Sequence, residues 1–243
     1  MNNEVLIRLA PIIAGIRAYH HHTIVGADEI PRQGSIIFAV NHSLASYDIA
    51  LLMAGVYEAV NRIPRSLIDR LFYKVPGLGP VMEALGSREG THDNAIKLLS
   101  AGEIIVLAPG GMRESLRPSS EKYKIIWSKR KGFVKLSIET QTPIMLAACP
   151  AADDMYDVAG SHVTAWAYKT FKIPLFFAKG AGISPFPKPV RLTHYLSEPI
   201  VPPKMPDDKE QFVKVVDEFH QEVCDRMQKL MDSACAQEKL RNP

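Results

Sequence analysis

The chain has only three cysteines among its 243 residues, Cys149, Cys224 and Cys235, and they are scattered. No C-x-x-C pair or mixed His/Cys spacing typical of zinc sites occurs, so the sequence predicts neither a bound metal nor a structural disulfide, as in a reduced compartment. A Gly-x-Ser-x-Gly elbow is also missing, because Ser87 lies in Gly-Ser-Arg-Glu-Gly. That absence argues against an α/β-hydrolase.

Long apolar runs are missing too. No segment reaches the roughly 18 apolar residues that a membrane-spanning helix needs. Residues 4–19 form a shorter apolar stretch, interrupted by Arg8, Pro11 and Arg17, and no small-residue cleavage site follows it. This segment predicts either a helix that packs on the core or an amphipathic helix lying in the membrane interface. We expect a cytoplasmic protein, peripheral or monotopic on a membrane.

Net charge is small, at +3, and no aromatic-rich basic motif occurs, so a nucleic-acid partner is not expected. The basic residues are nevertheless concentrated between residues 113 and 135. This stretch fits either a solvated helix face or a site for the phosphates of coenzyme A or of anionic lipid headgroups.

The remaining pattern is one of strands alternating with helices, which predicts an α/β fold with a mixed, partly parallel sheet flanked by helices. We expect an N-terminal amphipathic helix over residues 1–22, followed by a single domain over residues 23–243 that ends in a long helix. Helices are predicted at 3–19, 46–60, 92–101, 129–141, 161–171 and 207–237, and strands at 22–26, 35–41, 103–108, 143–148 and 189–195. Short helices are expected within 66–85, and the histidines at 92, 162, 194 and 220 are expected at the surface or at helix ends.

The most informative motif is Asn-His-Ser-Leu-Ala-Ser-Tyr-Asp at residues 41–48, directly after an apolar, β-branched run. A histidine where a strand opens into polar residues can face substrate, and Asp48 can fold back to fix the tautomer of His42 and stabilise its imidazolium. The alternative is a loop histidine beside a helix that Ser43 or Ser46 caps.

A second motif, Pro109-Gly110-Gly111-Met112-Arg113-Glu114, follows the predicted strand 103–108. Its two glycines let the backbone approach a ligand and leave N–H groups for an anion, so we expect an oxyanion hole near this turn. Arg113 adds a planar cation suited to phosphate.

These motifs resemble four blocks of the lysophospholipid acyltransferase superfamily, the glycerolipid acyltransferases. The blocks are similar to Asn41–Asp48, to Leu85–Gly90, to Ala108–Glu114 and to the strand opened by Pro143. Phosphatidate-forming members have four residues between the His and the Asp, whereas this chain has five. The five-residue spacing and the Pro-Gly-Gly-Met-Arg block both resemble those of the branch that contains diacylglycerol acyltransferases and phytyl ester synthases.

The resemblance implies transfer of a fatty acyl group from an acyl thioester, acyl-CoA or acyl carrier protein, to a lipid or alcohol hydroxyl, with no cofactor. A lysophospholipid O-acyltransferase of the 1-acylglycerol-3-phosphate type and a non-catalytic lipid-binding module are the alternatives. His42 and Asp48 are the expected catalytic residues, and a membrane surface is an expected partner. The expected substrate-binding residues are Asn41, Ser43, Ser46, Gly86, Ser87, Arg88, Pro109, Gly110, Gly111, Met112, Arg113 and Glu114.

Overall fold

The computed structural model describes residues 3–44, 46–159, 177–182 and 184–241; the helix expected at 161–171 and His162 lie outside these ranges. The described helices are α1 (Asn3–Tyr19), α2 (Tyr47–Val60), α3 (Leu71–Lys74), α4 (Leu78–Ala84), α5 (His92–Ser100), α6 (Gly111–Ser115), α7 (Gly132–Thr140) and α8 (Lys209–Arg241). The described strands are β1 (Thr23–Val25), β2 (Ile36–Val40), β3 (Arg65–Ile68), β4 (Arg88–Glu89), β5 (Ile104–Leu107), β6 (Ile144–Ala148), β7 (Asp157–Ala159), β8 (Phe177–Lys179) and β9 (Thr193–Leu196).

Seven of these strands form one sheet in the order β1-β9-β6-β2-β5-β3-β4. The neighbouring strands β6, β2, β5, β3 and β4 are all parallel to one another. Strand β9 runs antiparallel to β6, and β1 runs parallel to β9. Strands β7 and β8 form a separate antiparallel pair. The mixed, mostly parallel sheet predicted from the alternating pattern is therefore confirmed.

Strand β2 lies in the middle of the sheet, and all five of its residues are buried. Its alternate side chains enter different cores: Ile37 and Ala39 pack with α5, α7 and α8, whereas Ile36, Phe38 and Val40 pack with α2. A strand covered on both faces needs this continuous apolar run. The loop that follows β2 is thus held by a rigid strand.

Helix α1 joins the molecule through Ile13 and Ile16, which pack against the core that contains Leu51 and Leu192, while Ile12 is 58% exposed. One face of α1 therefore packs on the core, which is one of the two alternatives expected for this segment. None of the described helices has both the length and the apolar character required to cross a bilayer.

The short helices expected within 66–85 are confirmed as α3 and α4. Strands β3 and β4, on either side of them, were not predicted, because their four and two residues are too short to show a period. The last strand begins at Thr193 and not near residue 189. Thr91 does cap α5 as its sequence suggested, accepting the backbone N–H of Asn94 at 3.2 Å.

Candidate active site

The two sequence motifs meet at one edge of the sheet. Ala39 of β2 lies opposite Leu107 of the neighbouring parallel strand β5. His42 and Pro109 follow these strands at their carboxyl ends, which is where open α/β sheets bind ligands. The loop after β2 and the turn after β5 therefore form one site.

The hydrogen bonds of His42 fix which of its nitrogens is free. Its Nδ1 lies 2.6 Å from Ser46 Oγ and 3.2 Å from the Ser43 carbonyl oxygen. Ser46 Oγ is itself 2.8 Å from that carbonyl and donates its proton to it. Nδ1 therefore carries the ring proton and donates to Ser46, which leaves Nε2 with a lone pair. Ser46 adopts a left-handed backbone conformation, with φ at 51°, that directs its hydroxyl toward the ring.

Asp48 reaches His42 indirectly. The carboxylate is buried in the first turn of α2, and its Oδ1 accepts the hydroxyl proton of Ser43 at 2.9 Å. No hydrogen bond joins His42 to Asp48 within residues 3–44 and 46–159. The direct contact expected from sequence is replaced by a link through Ser43, whose carbonyl accepts from Ser46.

Burial sets the protonation of both groups. The pKa of His42 is lowered from its ordinary value of 6.5 to about 4. Desolvation is the main cause, and the charges of Arg117 and Arg130 add to it, whereas the hydrogen bond with the Ser43 carbonyl acts in the opposite direction. Desolvation raises the pKa of Asp48 from 3.8 to about 6, opposed by the Ser43 hydroxyl. The imidazole is therefore neutral and the carboxylate mostly ionised at neutral pH.

The lowered pKa of His42 predicts a pH dependence of stability. The unfolded chain, with an ordinary histidine, takes up the proton first as pH falls from 6.5 toward about 4. The contribution of His42 is therefore fully present above pH 6.5 and is lost on acidification through this window. Denaturant unfolding should show wild type losing more stability than His42→Gln between these pH values; equal losses would contradict the shift.

Glu114 ties the two loops together from a fully buried position. Its Oε2 accepts the backbone N–H of His42 at 3.1 Å, and its Oε1 accepts that of Ile126 at 3.0 Å. Arg117 lies 3.4 Å from the same carboxylate. Desolvation raises the pKa of Glu114 to about 7 against these partners. Both oxygens of Glu114 therefore accept hydrogen bonds within the protein, and one of them holds the backbone of His42.

The glycines of the turn make room for two side chains. A Cβ on Gly110 would lie 2.0 Å from Glu114 Oε2, and one on Gly111 would lie 2.3 Å from an Arg130 guanidinium nitrogen. Gly111 also has a φ of 51°. Its N–H donates to the Ala108 carbonyl at 3.1 Å, so this N–H is not free for the oxyanion hole that we expected there.

Gly110→Ala is expected to destabilise the protein by about 1–3 kcal/mol, the usual range for overpacking. The added methyl group would displace the Glu114 carboxylate that holds His42. Chemical denaturation measures the loss, and Gly132→Ala is the matched control because its Cβ would meet nothing within 4 Å. Equal stability of the two variants would show that the Glu114 side chain moves aside freely.

Several other expected binding residues have their polar atoms occupied. The Asn41 amide bonds the N–H and the carbonyl of Cys149, at 2.8 and 3.2 Å, and so joins the ends of β2 and β6. The Ser87 hydroxyl, beside Gly86, lies 2.8 Å from that of Ser66. Arg88 donates to backbone carbonyls of its own segment on the edge strand β4. These residues hold the backbone, and their position gives no support to a ligand contact.

The basic stretch divides into paired and unpaired cations. Arg117 is buried and pairs with Asp153 at 2.6 Å, while Lys122 and Lys131 pair with Asp154 and Asp217. Within the described ranges no acidic partner is found for Arg113 or Arg130. Arg113 makes one long contact, 3.5 Å, to Ser128. Arg130, whose charge acts on His42, and the exposed Arg113 therefore remain able to bind an anion.

Sequence reasoning missed His194, which is buried beside the site and not at the surface as expected. His220 is buried as well. Ligand-capable atoms of Asp48, Cys149 and His194 lie within 4.8 Å of one another, which makes this the one group in the described part of the chain with the spacing of a metal site. No spacing in the sequence signals it, because β6 and β9 bring Cys149 and His194 together only in the folded sheet.

A family model described as diacylglycerol acyltransferase matches residues 80–241. That segment contains Pro109–Glu114 but begins after His42 and Asp48. Similar curated proteins include the "DGAT1/2-independent enzyme synthesizing storage lipids" of Bos taurus and of Homo sapiens, each 27% identical over 183 residues. These alignments cover 75% of this chain and 53% and 54% of the relatives.

Diacylglycerol O-acyltransferase 1 of Saccharomyces cerevisiae is 30% identical over 178 residues, which cover 65% of this chain and 41% of the yeast protein. The chain thus spans about half the length of the curated relatives that it matches. Among solved structures, the 1-acyl-sn-glycerophosphate (LPA) acyltransferase PlsC from Thermotoga maritima aligns with a TM-score of 0.51 and 15% identity. The alignment covers 93% of this chain and 88% of PlsC, and it shows a common fold.

Proposed function

The chain belongs to the diacylglycerol acyltransferase family, which confirms the resemblance drawn from its motifs, and we propose on that premise that it is an O-acyltransferase. It moves a fatty acyl group from an acyl thioester, acyl-CoA, to the hydroxyl of a lipid or alcohol. The observation that supports this proposal most strongly is the tautomer and protonation state of His42. Its Nδ1–H is held by Ser46, and its Nε2 is unprotonated at neutral pH. This is the state that a general base requires.

In the proposed reaction, Nε2 of His42 removes the proton from the acceptor hydroxyl as the oxygen attacks the thioester carbonyl. The tetrahedral intermediate collapses with cleavage of the C–S bond, and the imidazolium returns its proton to the leaving thiolate. The Ser46 hydroxyl holds Nδ1–H throughout, and the Asp48 carboxylate stabilises the imidazolium through the Ser43 link. No protein nucleophile is needed, because the acceptor supplies the hydroxyl.

The unpaired arginines support a phosphate-bearing substrate. Arg130 covers Gly111 and acts electrostatically on His42, while Arg113 is exposed on the short helix α6 that follows the Gly110–Gly111 turn. Coenzyme A carries such phosphates, so a neutral acceptor is compatible with these cations. We propose a neutral alcohol such as a diacylglycerol, in line with the names of the relatives and the five-residue His–Asp spacing. A lysophospholipid acceptor is the second candidate, favoured by the same exposed Arg113.

Arg113→Ala should raise the KM for the phosphate-bearing substrate by about tenfold, the effect of losing roughly 1.4 kcal/mol of charged hydrogen bonding. Folding should be unaffected, because Arg113 makes one 3.5 Å side-chain contact. Separate KM values for acyl-CoA and acceptor identify which ligand the guanidinium holds. Lys135→Ala, an exposed cation on α7, is the control. Unchanged KM values and turnover would leave Arg113 without a role in binding.

The activity is tested by incubating purified protein with labelled oleoyl-CoA and separate acceptors: a diacylglycerol, a long-chain alcohol and a lysophosphatidate in mixed vesicles. A labelled ester that requires the acceptor supports the proposal, and the preferred acceptor decides between the two candidates. Acyl-chain binding without any ester product would overturn it in favour of a lipid-binding module.

We further propose that the protein works at a membrane surface. Helix α3 follows β3 at the same sheet edge as the site, and Phe72, Val75 and Val81 of this α3–α4 segment are exposed. We propose that these apolar side chains contact the bilayer that holds the acceptor, and Ile12 of α1 is a further exposed apolar side chain.

A further inference from the structure

The consecutive histidines at the end of α1 have different environments. His20 and His22 are buried, whereas His21 between them is exposed with a φ of 43°. An alternating pattern of this kind places both buried rings on the side of the chain that faces the domain. Both rings lead to the first turn of α2, which carries Tyr47 and Asp48.

The route from His22 is a chain of side-chain contacts. Arg17 Nε lies 3.2 Å from His22 Nδ1, His22 Nε2 lies 3.0 Å from His194 Nδ1, and His194 Nε2 lies 3.8 Å from Asp48 Oδ2. The last distance is longer than a hydrogen bond but allows electrostatic contact. We call Arg17, His22, His194 and Asp48 the histidine chain.

The proton positions in the histidine chain follow from its outer end. Arg17 Nε always carries a proton, so His22 Nδ1 must accept, and the proton of the neutral His22 ring lies on Nε2. His194 Nδ1 then accepts in turn, which leaves the His194 proton on Nε2, facing the Asp48 carboxylate. Arg17 is held in place by its ion pair with Glu58 of α2. Every donor therefore points toward Asp48.

His20 holds Tyr47, the residue before Asp48, through a second set of hydrogen bonds. Its Nδ1 lies 2.8 Å from the Val190 carbonyl and must donate to it. Nε2 of His20 then accepts the hydroxyl proton of Tyr47 at 2.5 Å. His20 thus contacts Tyr47 of α2 directly, and His22 reaches the next residue, Asp48, through His194.

We propose that His22 and His194 are positioning residues for the acyl-transfer site, which hold Asp48 so that its link through Ser43 keeps His42 in the reactive orientation. The inference rests on the proposed function. It gives the end of α1 a task in catalysis that is separate from any contact with a membrane. The groups that face the Asp48 carboxylate are the Ser43 hydroxyl, the backbone N–H groups of Asp48 and Ile49, Cys149 after β6 and His194 of β9, with Asp153 farther away. Among the side chains in this set, His194 is the one nitrogen donor.

The kinetic test compares His194→Leu with His194→Gln. Leucine removes the donor, and we expect kcat to fall about tenfold or more, with the KM for acyl-CoA changing less than about twofold, because orientation is lost and binding is kept. Glutamine keeps an N–H group near the position of Nε2 and should restore kcat to within about threefold of wild type. His220→Leu is the matched control, since it removes a buried imidazole that contacts Phe133 and Cys224 away from the site.

A second measurement does not depend on activity, and its main part uses the wild-type protein. Long-range ¹⁵N–¹H NMR of histidine-labelled wild-type protein at pH 7 should show His22 and His194 protonated on Nε2 and His20 on Nδ1. Arg17→Gln should shift the His22 signals. Metal analysis of the same sample should find no stoichiometric zinc, because a metal bound by Asp48, Cys149 and His194 would occupy the Nε2 that the histidine chain protonates.

The outcomes separate the two proposals. Wild-type kcat in His194→Leu, an equal loss in the leucine and glutamine variants, a proton on Nδ1 of His194 or stoichiometric zinc would each overturn the histidine chain. A wild-type protein that makes no ester with any acceptor would instead overturn the proposed function. The tautomers seen by NMR would still show whether the histidine chain exists.

Discussion

Replacing His42 by alanine is expected to reduce acyl transfer by about 10²–10⁴, the usual contribution of a general base. The physical reason is the geometry around the ring, in which Ser46 holds Nδ1–H and leaves Nε2 as the acceptor of a proton. The measurement is kcat with saturating oleoyl-CoA and the preferred acceptor. Folding should survive, because the contact with Glu114 uses the His42 backbone N–H, which alanine retains.

His92→Ala is the control for this experiment. His92 is a histidine at the start of α5, with a side chain that is 54% exposed and pairs with Glu139 of α7. Its removal should leave kcat unchanged. Turnover of the His42→Ala protein within about tenfold of wild type would be below the general-base range and would refute the assigned role.

Arg117→Met is expected to cost about 3–5 kcal/mol of unfolding free energy, the range for breaking a buried ion pair from one side. Arg117 is buried between Asp153 and Glu114 and also donates to the Lys124 carbonyl at 2.6 Å. Methionine fills similar space but leaves two buried carboxylates without their cation. Urea unfolding followed by circular dichroism measures the loss.

The exposed pair Lys131–Asp217 provides the comparison, with side chains 31% and 51% exposed. Lys131→Met should cost about 0–1 kcal/mol, as solvent-exposed pairs do. A loss in Arg117→Met no larger than in this control would mean that Asp153 and Glu114 become protonated or rehydrated at little cost.

The sequence was sufficient to show that the two motifs follow strands. His42 and Gly110 come two and three residues after the apolar strands β2 and β5, and parallel neighbours bring such positions to one edge of the sheet. The resemblance to glycerolipid acyltransferases covered the same blocks. The position of β2 at the centre of the sheet is consistent with its unbroken apolar pattern, since both faces of the strand are covered.

The parts that sequence could not supply depend on contacts between distant segments. Five residues separate His42 from Asp48, and this spacing suggested a direct pair, but the left-handed turn at Ser46 brings a hydroxyl to Nδ1 instead. The internal partners of Glu114 could not be predicted, because the N–H groups that it accepts belong to His42 and Ile126, outside its motif. His194 looked isolated because its neighbours are 146 and 172 positions away.

Strand β1 is an edge strand whose neighbour is β9, and Thr23 lies opposite Thr193, 170 positions later in the chain. During synthesis, at about 5–20 residues per second, α1 and β1 therefore leave the ribosome roughly 10–30 s before their partner exists. Over that interval Ile13 and Ile16 have no core to join, and a nearby bilayer or chaperone competes for them. Any capture of the nascent helix by a membrane would therefore precede its packing in the finished domain, and the position of one strand in the chain sets that order.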